Sequence, residues 1–381
     1  MADKVKQRRS SFRWLRILCF FLVFAIVWQG LTQLLQTKYQ WNDCWPQRYE
    51  DYAAEPPDSV DVVFIGNSQL YCGISPMMLY NEAGITSYNM GGYFFYHTLI
   101  TEQLKILCEL NTPPKCVVFS PTSLVSVRGQ NDEEMVTLYY NFITSQPTIQ
   151  RKLHAYNAMQ NEVGGGVDAL PFIAPLLGFH NRWRELSEID FKTRADYASE
   201  YQPFLKGQQR VTQVRNVTEF VEGEPADKNT ELLENSKQGW LEFFDYCKEQ
   251  DIQPIALLQP RFDGTYSPQA VENIVSWLEE EDIPVLNYMD ESSLQELGWN
   301  WRSHFMDPIH LNFNGSLFFA QDLAWQLQDL AGLEDHRGEE GFEKWDEQFQ
   351  QFYSTFQYSI AQELGESYTP WWEGDLEEDW F

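Results

Sequence analysis

Three side chains, one near the start of the chain and two close together near its end, have the types that acyl transfer to and from a serine requires. Ser68 follows an apolar run in Asp61-Val-Val-Phe-Ile-Gly-Asn-Ser68. Asp307 and His310 stand in Phe305-Met-Asp307-Pro-Ile-His310-Leu-Asn-Phe-Asn-Gly315. A serine hydroxyl needs a base to take its proton. The base in turn needs a partner that fixes its tautomer and stabilises the imidazolium. A carboxylate three residues before the histidine, with Pro308 stiffening the turn, can reach Nδ1 while Nε2 faces the serine. Each piece alone has a plainer explanation. Gly-Asn-Ser is ordinary turn chemistry, and a single histidine in a turn is often only solvated or bonded to backbone.

The elements that would position these groups are legible around them. Val60–Ile65 reads as a buried parallel strand, short, apolar and bounded by Gly66. A helix is expected from Pro76, with Ser75 as its cap and Gly84 as its end. Ile85–Tyr88 and Lys115–Phe119 read as a second and third strand, joined by an amphipathic helix, Thr98–Leu110. After a lapse from about Val125 to Asn235 the alternation resumes. It continues with a helix at Ser236–Glu249, a strand at Pro254–Gln259, a helix from Pro268 to Glu281 and a strand at Pro284–Tyr288. Asn314 is expected to cap a final helix from Gly315 to about Leu330. Five strands with helical crossovers imply an α/β domain, a five-stranded parallel sheet with helices on both faces. Sites in such sheets lie at the carboxyl ends of the strands, where Ser68 falls.

With these ends in view, the chain resembles the SGNH (GDSL-type) hydrolases and acyltransferases. Strand-Gly-x-Ser near the start looks like the family's first block, and Asp-x-x-His-Leu-Asn-x-x-Gly near the end like its last. Asn89-Met-Gly91-Gly92 looks like the second block, whose glycine gives a backbone N–H to the oxyanion. The likeness covers residues 60–125 and 235–330. It implies a flavodoxin-like SGNH fold, Ser68, His310 and Asp307 as nucleophile, base and orienting acid, and an oxyanion hole built from Ser68 with Gly91 or Gly92. The sequence departs from the family pattern twice. Asn67 replaces the aspartate of Gly-Asp-Ser, and Ser120-Pro-Thr-Ser123 stands where Gly-x-Asn-Asp is expected. Thr122 or Ser123 could stand in for the missing asparagine donor. The chain looks closer to membrane-anchored members that acylate cell-surface polymers, such as the D-alanyl transfer protein of teichoic acid synthesis, than to a secreted esterase. That likeness implies a membrane-bound O-acyltransferase as partner.

Composition narrows the class. The 381 residues carry 27 basic and 56 acidic side chains, a net charge of −29, so binding nucleic acid through its phosphates is not expected. Six of the basic residues lie in the first 16, opposed there only by Asp3. The apolar stretch from Trp14 to Leu35 follows, long enough to span a bilayer. No small-x-small cleavage site comes after it, so an uncleaved signal anchor is expected rather than a signal peptide. The basic flank places the N-terminus in the cytoplasm and the domain outside. The expected organisation is a basic tail (1–13), a transmembrane anchor (14–35) and a connector (36–59). An SGNH-like domain (60–333) with an insertion (125–235) follows, then an acidic, aromatic C-terminal helix and tail (334–381).

The six cysteines are Cys19, Cys44, Cys72, Cys108, Cys116 and Cys247. They show no framework spacing; Cys108 and Cys116 could pair, or all could be free thiols. No Cys/His set has zinc spacing. His304, Asp307 and His310 could hold a metal, but a serine site already accounts for two of them, so no metal or cofactor is expected. Gly164-Gly-Gly166 is not followed by Gly-Lys-Ser/Thr and is no phosphate loop. His97 reads as a helix-start residue.

Candidate substrate-binding residues are Asn67, Thr122 and Ser123, with Arg261 at the end of the fourth strand and Arg182 and Trp183 in the insertion. The last two could meet a sugar or an anionic polymer by stacking and forked hydrogen bonds; a partly buried helix start is the plainer account. In the tail, Phe342, Trp345, Phe349, Phe352, Phe356, Ile360 and Leu364 recur every three or four residues, one face of a helix that packs on the domain or a partner. The functional expectation is an extracytoplasmic serine esterase or O-acyltransferase whose acceptor is a cell-surface glycan or wall polymer. The alternatives are a non-catalytic scaffold of the envelope built on the same fold, and a hydrolase of soluble esters.

Overall fold

Short strands form the sheet, two of them (Val62–Ile65 and Cys116–Phe119) built almost wholly of β-branched and aromatic residues. In the computed structural model its strands are β1 (Val62–Ile65), β2 (Ser87–Asn89), β3 (Cys116–Phe119), β4 (Gln253–Leu258) and β5 (Val285–Asn287), all parallel, in the order β2-β1-β3-β4-β5. The structure describes residues 2–35, 45–92, 97–125, 139–140, 142–144, 146, 148–162, 165–191, 202–214, 230–261, 266–289 and 297–374. Cys44, Gly164 and the last residues, 375–381, lie outside them. The sheet and its flanking helices match the α/β expectation. β1 and β3 are buried along their whole length, as the interior of a two-sided sheet requires. Because β1 leads first to β2 on one side and the chain then returns to β3 on the other, the strand order reverses between β1 and β3. In open α/β sheets the crevice outside that reversal is where ligands bind.

The longer helices are α1 (Ala2–Leu35), α2 (Trp45–Ala53), α3 (Ser68–Gly73), α4 (Pro76–Ala83), α5 (His97–Leu110), α6 (Ile149–Glu162), α7 (Glu234–Glu249), α8 (Pro268–Glu280), α9 (Phe313–Ala331) and α10 (Glu343–Leu364). Right-handed crossovers put helices that join strands in opposite directions on opposite faces. Accordingly α4 packs with α9 and α10, and α5 packs with α7. On the second face Phe119 of β3 lies against Trp240, Phe243 and Phe244 of α7, at ring distances of 4.6, 5.3 and 5.7 Å.

The expected stripe on α10 is buried at Trp345, Phe349, Phe352, Phe356 and Ile360. Each such side chain contributes about 1.5–3 kcal/mol when buried, which holds a very acidic helix to an acidic domain. Polar ties add to it. Lys206 is fully buried, its Nζ 2.7 Å from Glu55 Oε1 and 3.9 Å from the Trp345 ring centre, and Lys344 reaches the same Glu55 oxygen at 3.0 Å. Burial pulls the Lys206 ammonium down to about 8, and the Glu55 carboxylate works against that fall. At the foot of β1, His336 Nε2 lies 2.9 Å from Asp61 and Nδ1 2.5 Å from Glu339. Burial alone would lower the His336 pKa, but these two carboxylates outweigh burial and raise it.

Several local expectations are corrected. Ser68 opens a helix of its own, α3, well before Pro76. Asn312, not Asn314, caps the last helix of the sheet domain, its Oδ1 accepting from Gly315 N–H at 2.9 Å, so the helix starts at Phe313. Ser75 precedes α4 without a side-chain capping bond. Cys108 and Cys116 are both free thiols, as are Cys19, Cys72 and Cys247.

Candidate active site

The serine loop is set by its glycine and its asparagine. Gly66 has φ of +152°, and a Cβ there would lie 2.7 Å from Leu70 Cδ1 and 3.3 Å from the Ser120 backbone nitrogen. Only glycine lets β1 turn that sharply against the end of β3. Asn67 then caps α3. Its Oδ1 accepts from Gln69 N–H at 3.1 Å, and its Nδ2 donates to Ser120 Oγ at 3.1 Å and Thr122 Oγ1 at 3.3 Å. Both amide hydrogens are therefore occupied in joining the ends of β1 and β3. These bonds make Asn67 a positioning residue for the serine turn.

The histidine loop closes over this turn from the far end of the chain. Ser68 Oγ lies 2.7 Å from His310 Nε2. His310 Nδ1 lies 2.8 Å from Asp307 Oδ2 and 3.0 Å from Oδ1. Asp307 Oδ1 also accepts the backbone N–H groups of Ile309 and His310, both at 2.9 Å. Burial pushes the Asp307 pKa up, but the bond from His310, its charge and the two N–H groups outweigh it and hold the carboxyl below its ordinary range. An ionised Asp307 accepts from Nδ1–H, which leaves the Nε2 lone pair facing the serine hydroxyl. Gln69 Nε2 donates to Ile309 O at 3.0 Å and pins α3 to the histidine loop. The His310 side chain keeps 14 % of its surface exposed and Asp307 23 %, so the pair is sheltered but reachable.

Other expected site residues are placed elsewhere. Gly91 N–H donates to Asn89 Oδ1 at 3.0 Å, and Gly92 N–H donates to Gly66 O at 2.7 Å. Both N–H groups are thus engaged within the protein, where they brace the loop and extend the β1–β2 pairing. Ser123 is turned into the core, its Oγ accepting from Trp240 Nε1 at 3.2 Å, and does not replace the absent asparagine. Arg182 Nη1 donates to Leu35 O at 2.9 Å and Nη2 to Asp190 at 2.8 Å. It therefore serves the end of α1, not a substrate. Trp183 stands exposed on the same turn beneath the Arg184 guanidinium. Arg261 stacks 4.5 Å over Tyr266, whose hydroxyl donates to Thr122 O at 3.4 Å, so it borders the end of β3 at second hand. His304 faces away from the metal set considered from sequence. Its Nδ1 accepts from Asn300 N–H and its Nε2 lies 2.6 Å from Glu363 on α10.

Among the described residues, two donors are candidates for an oxyanion. Ser68 N–H is at the first position of α3, where a helix offers no internal acceptor. Ser120 and Thr122 have two hydroxyl hydrogens between them. One serves their mutual 3.2 Å bond and Asn67 supplies neither, so one O–H can turn toward a developing oxyanion.

Sequence reasoning missed the residues that brace this geometry. Arg48 of α2 donates to Gly91 O at 2.9 Å and to Asn89 O at 2.5 Å. Residues 202–214, the return of the insertion, tie the second block, α3 and α9 together. Asn89 N–H donates to Lys206 O at 2.8 Å, Gln209 N–H to Tyr71 O at 2.9 Å, and Phe313 N–H to Val211 O at 2.7 Å. Gln259, at the end of β4, is buried beside Gly73 and Leu311, and neither of its amide atoms has a partner among the described residues. Only the strand-end position of Gln259 was a sequence signal.

No family model and no curated protein matches the chain. Among solved structures it is similar to a "putative acylhydrolase" from Bacteroides fragilis NCTC 9343, with 12% identity, 75% of this chain and 98% of that chain covered, and a TM-score of 0.35. It is also similar to a GDSL-like lipase from Bacteroides thetaiotaomicron VPI-5482, with 12% identity, 77% and 100% covered, and a TM-score of 0.33. At that level of similarity the roles of Ser68, His310 and Asp307 rest on this chain's own geometry.

Proposed function

We propose that the chain is a membrane-anchored, serine-dependent acyl-transfer enzyme of the SGNH type, an O-acyltransferase or esterase acting on a cell-surface glycan or wall polymer. The observation that carries this reading is the continuous chain from Ser68 Oγ through His310 to Asp307, with 2.7 and 2.8 Å links, at the β1–β3 reversal. Ser68 Oγ attacks an acyl carbonyl while His310 Nε2 takes its proton. The imidazolium so formed is stabilised by Asp307 and gives that proton to the departing oxygen, leaving an acyl-Ser68. A hydroxyl acceptor then loses its proton to His310 and attacks the acyl group, and the bond to Ser68 breaks as His310 returns that proton to Ser68 Oγ. Water as acceptor makes an esterase, and a glycan hydroxyl makes a transferase. Ser68 N–H and a hydroxyl of the Ser120–Thr122 pair would hold the oxyanion; one such donor is worth roughly 3–4 kcal/mol in comparable sites.

The apolar α1 and its basic flank support anchoring with the domain outside the cytoplasm. The likeness of the sequence ends to the anchored polymer-acylating group, including the D-alanyl transfer protein, supports a polymer acceptor and a membrane-bound O-acyltransferase as acyl supplier. The engaged N–H groups of Gly91 and Gly92 favour a second reading, a non-catalytic envelope scaffold. A fluorophosphonate probe on the full chain separates the two. Labelling lost in both Ser68→Ala and His310→Ala supports the enzyme. No labelling of folded wild-type protein supports the scaffold.

A further inference from the structure

The end of α1 is not a free linker. Trp28, Thr32, Leu34 and Leu35 are its partly or fully covered residues, three of them (Trp28, Thr32 and Leu35) at i, i+4 and i+7 on one face, whereas the rest of the apolar span is largely exposed. The elements packed against α1 are Pro175–Gly178, His180–Arg184 and Glu188–Phe191. Arg182 fastens them by donating to the last carbonyl of the helix, Leu35 O. The segment that docks there also presents large apolar side chains outward: Leu170, Ile173, Leu177, Trp183 and Phe191. Ile173 is 78 % exposed, Trp183 60 % and Phe191 68 %. Residues 170–191 contain only two basic and three acidic side chains, and Asp190 is paired with Arg182. The chain as a whole carries −29.

We propose that residues 170–191 form an apron that lies in the lipid interface beside the anchor, its outward apolar side chains among the acyl chains just below the headgroups. The proposal rests on α1 spanning the bilayer, and that premise fails separately in the test below. The depth follows from α1. Trp28 to Leu35 is seven residues at 1.5 Å each, so the apron lies alongside about the last 10 Å of the span. Interfacial helices bury their apolar faces roughly 5–10 Å into the boundary between headgroups and acyl chains. Trp183 beside Arg184, at the end of the span, is the residue pairing that membrane interfaces favour. A near-neutral surface is also the part of an acidic protein that an anionic leaflet repels least. The apron would therefore hold the catalytic domain down on the membrane at a fixed height.

The test uses the full chain in phosphatidylcholine–phosphatidylglycerol vesicles that carry an alkyne-tagged acyl chain. The photocrosslinker p-benzoylphenylalanine is introduced singly in place of Phe24, Ile173, Phe191 or Tyr358. Phe24 lies within α1, and Tyr358 is the exposed control on α10. Lipid adducts at 173 and 191 approaching the yield at 24, and at least an order of magnitude above 358, support the apron. Adducts at 24 without adducts at 173 and 191 overturn it. So do equal yields at 173 and 358, or crosslinks from 173 to a second copy of the chain. No adduct at 24 removes the spanning helix itself, and the apron with it.

Discussion

Replacing Asp307 by asparagine keeps the shape of the histidine loop and removes its base. Asp307 Oδ1 accepts two backbone N–H groups at 2.9 Å. In Asp307→Asn the amide oxygen must stay there, which turns the NH2 group toward His310 Nδ1. Two donors cannot face each other across the 2.8 Å now separating Oδ2 from Nδ1. The NH2 group at the shorter contact favours the tautomer with the proton on Nε2 over the longer 3.0 Å approach of Nδ1 to Oδ1, and Nε2–H then donates to Ser68 Oγ, so the lone pair that would take the serine proton is gone. The equivalent exchange in the serine-protease triad lowers turnover about 10⁴-fold, roughly 5 kcal/mol of transition-state stabilisation. The same loss is expected in fluorophosphonate labelling of Ser68 and in turnover of a short-chain nitrophenyl ester. Asp307→Ala should lose as much activity and also some stability, about 1–3 kcal/mol for backbone donors deprived of their acceptor. Labelling of Asp307→Asn within about tenfold of wild type, equivalent to less than about 1.4 kcal/mol, would refute the tautomer reasoning.

Three further outcomes are expected from the fold. Gly66→Ala forces a Cβ into a strained backbone region, 2.7 Å from Leu70 Cδ1; chemical denaturation should show a loss of about 1–3 kcal/mol, and an unchanged midpoint would mean the turn relaxes freely. Lys206→Ala leaves Glu55 buried with Lys344 as its remaining cation among the described residues; a loss of up to about 3–5 kcal/mol is expected, and Lys206→Met, which refills the volume against Trp345, should recover part of it. His336 has a raised pKa in the folded chain, so its contribution is complete below the unfolded value of about 6.5 and fades as pH rises through the folded one. His336→Gln should flatten that part of the stability–pH curve, and an identical slope in the variant would show that His336 does not set it.

The sheet was legible because β1, β3 and β4 are short apolar runs with turn residues at their ends, a pattern with few other uses. The ends of the chain were legible for a similar reason: Gly-x-Ser after a strand and Asp-x-x-His before a helix cap leave little geometric choice. Asn312 and Asn314 were confused because both are good caps two residues apart. The choice between them falls to the turn at His304–Leu311, where Asn312 N–H donates to His304 O and its side chain to Ser303 O. α3 was invisible because six residues make less than two helical turns and show no period. Gly91 and Gly92 looked like vacant donors because a sequence does not show where a backbone N–H points. Arg182 was misplaced because its acceptor, Leu35 O, is a main-chain atom 147 residues away.

The serine and its base are 242 residues apart. Between them lie every strand after β1, the insertion, and the strap that joins α3 to α9. Ser68, the proposed nucleophile, is therefore made early. It meets its proposed base only when residue 310 arrives and α9 docks against α4. His304, within the turn that carries the base, is in turn bonded to Glu363, which is made later still. A product that ends before residue 310 carries Ser68 without the imidazole that pairs with it.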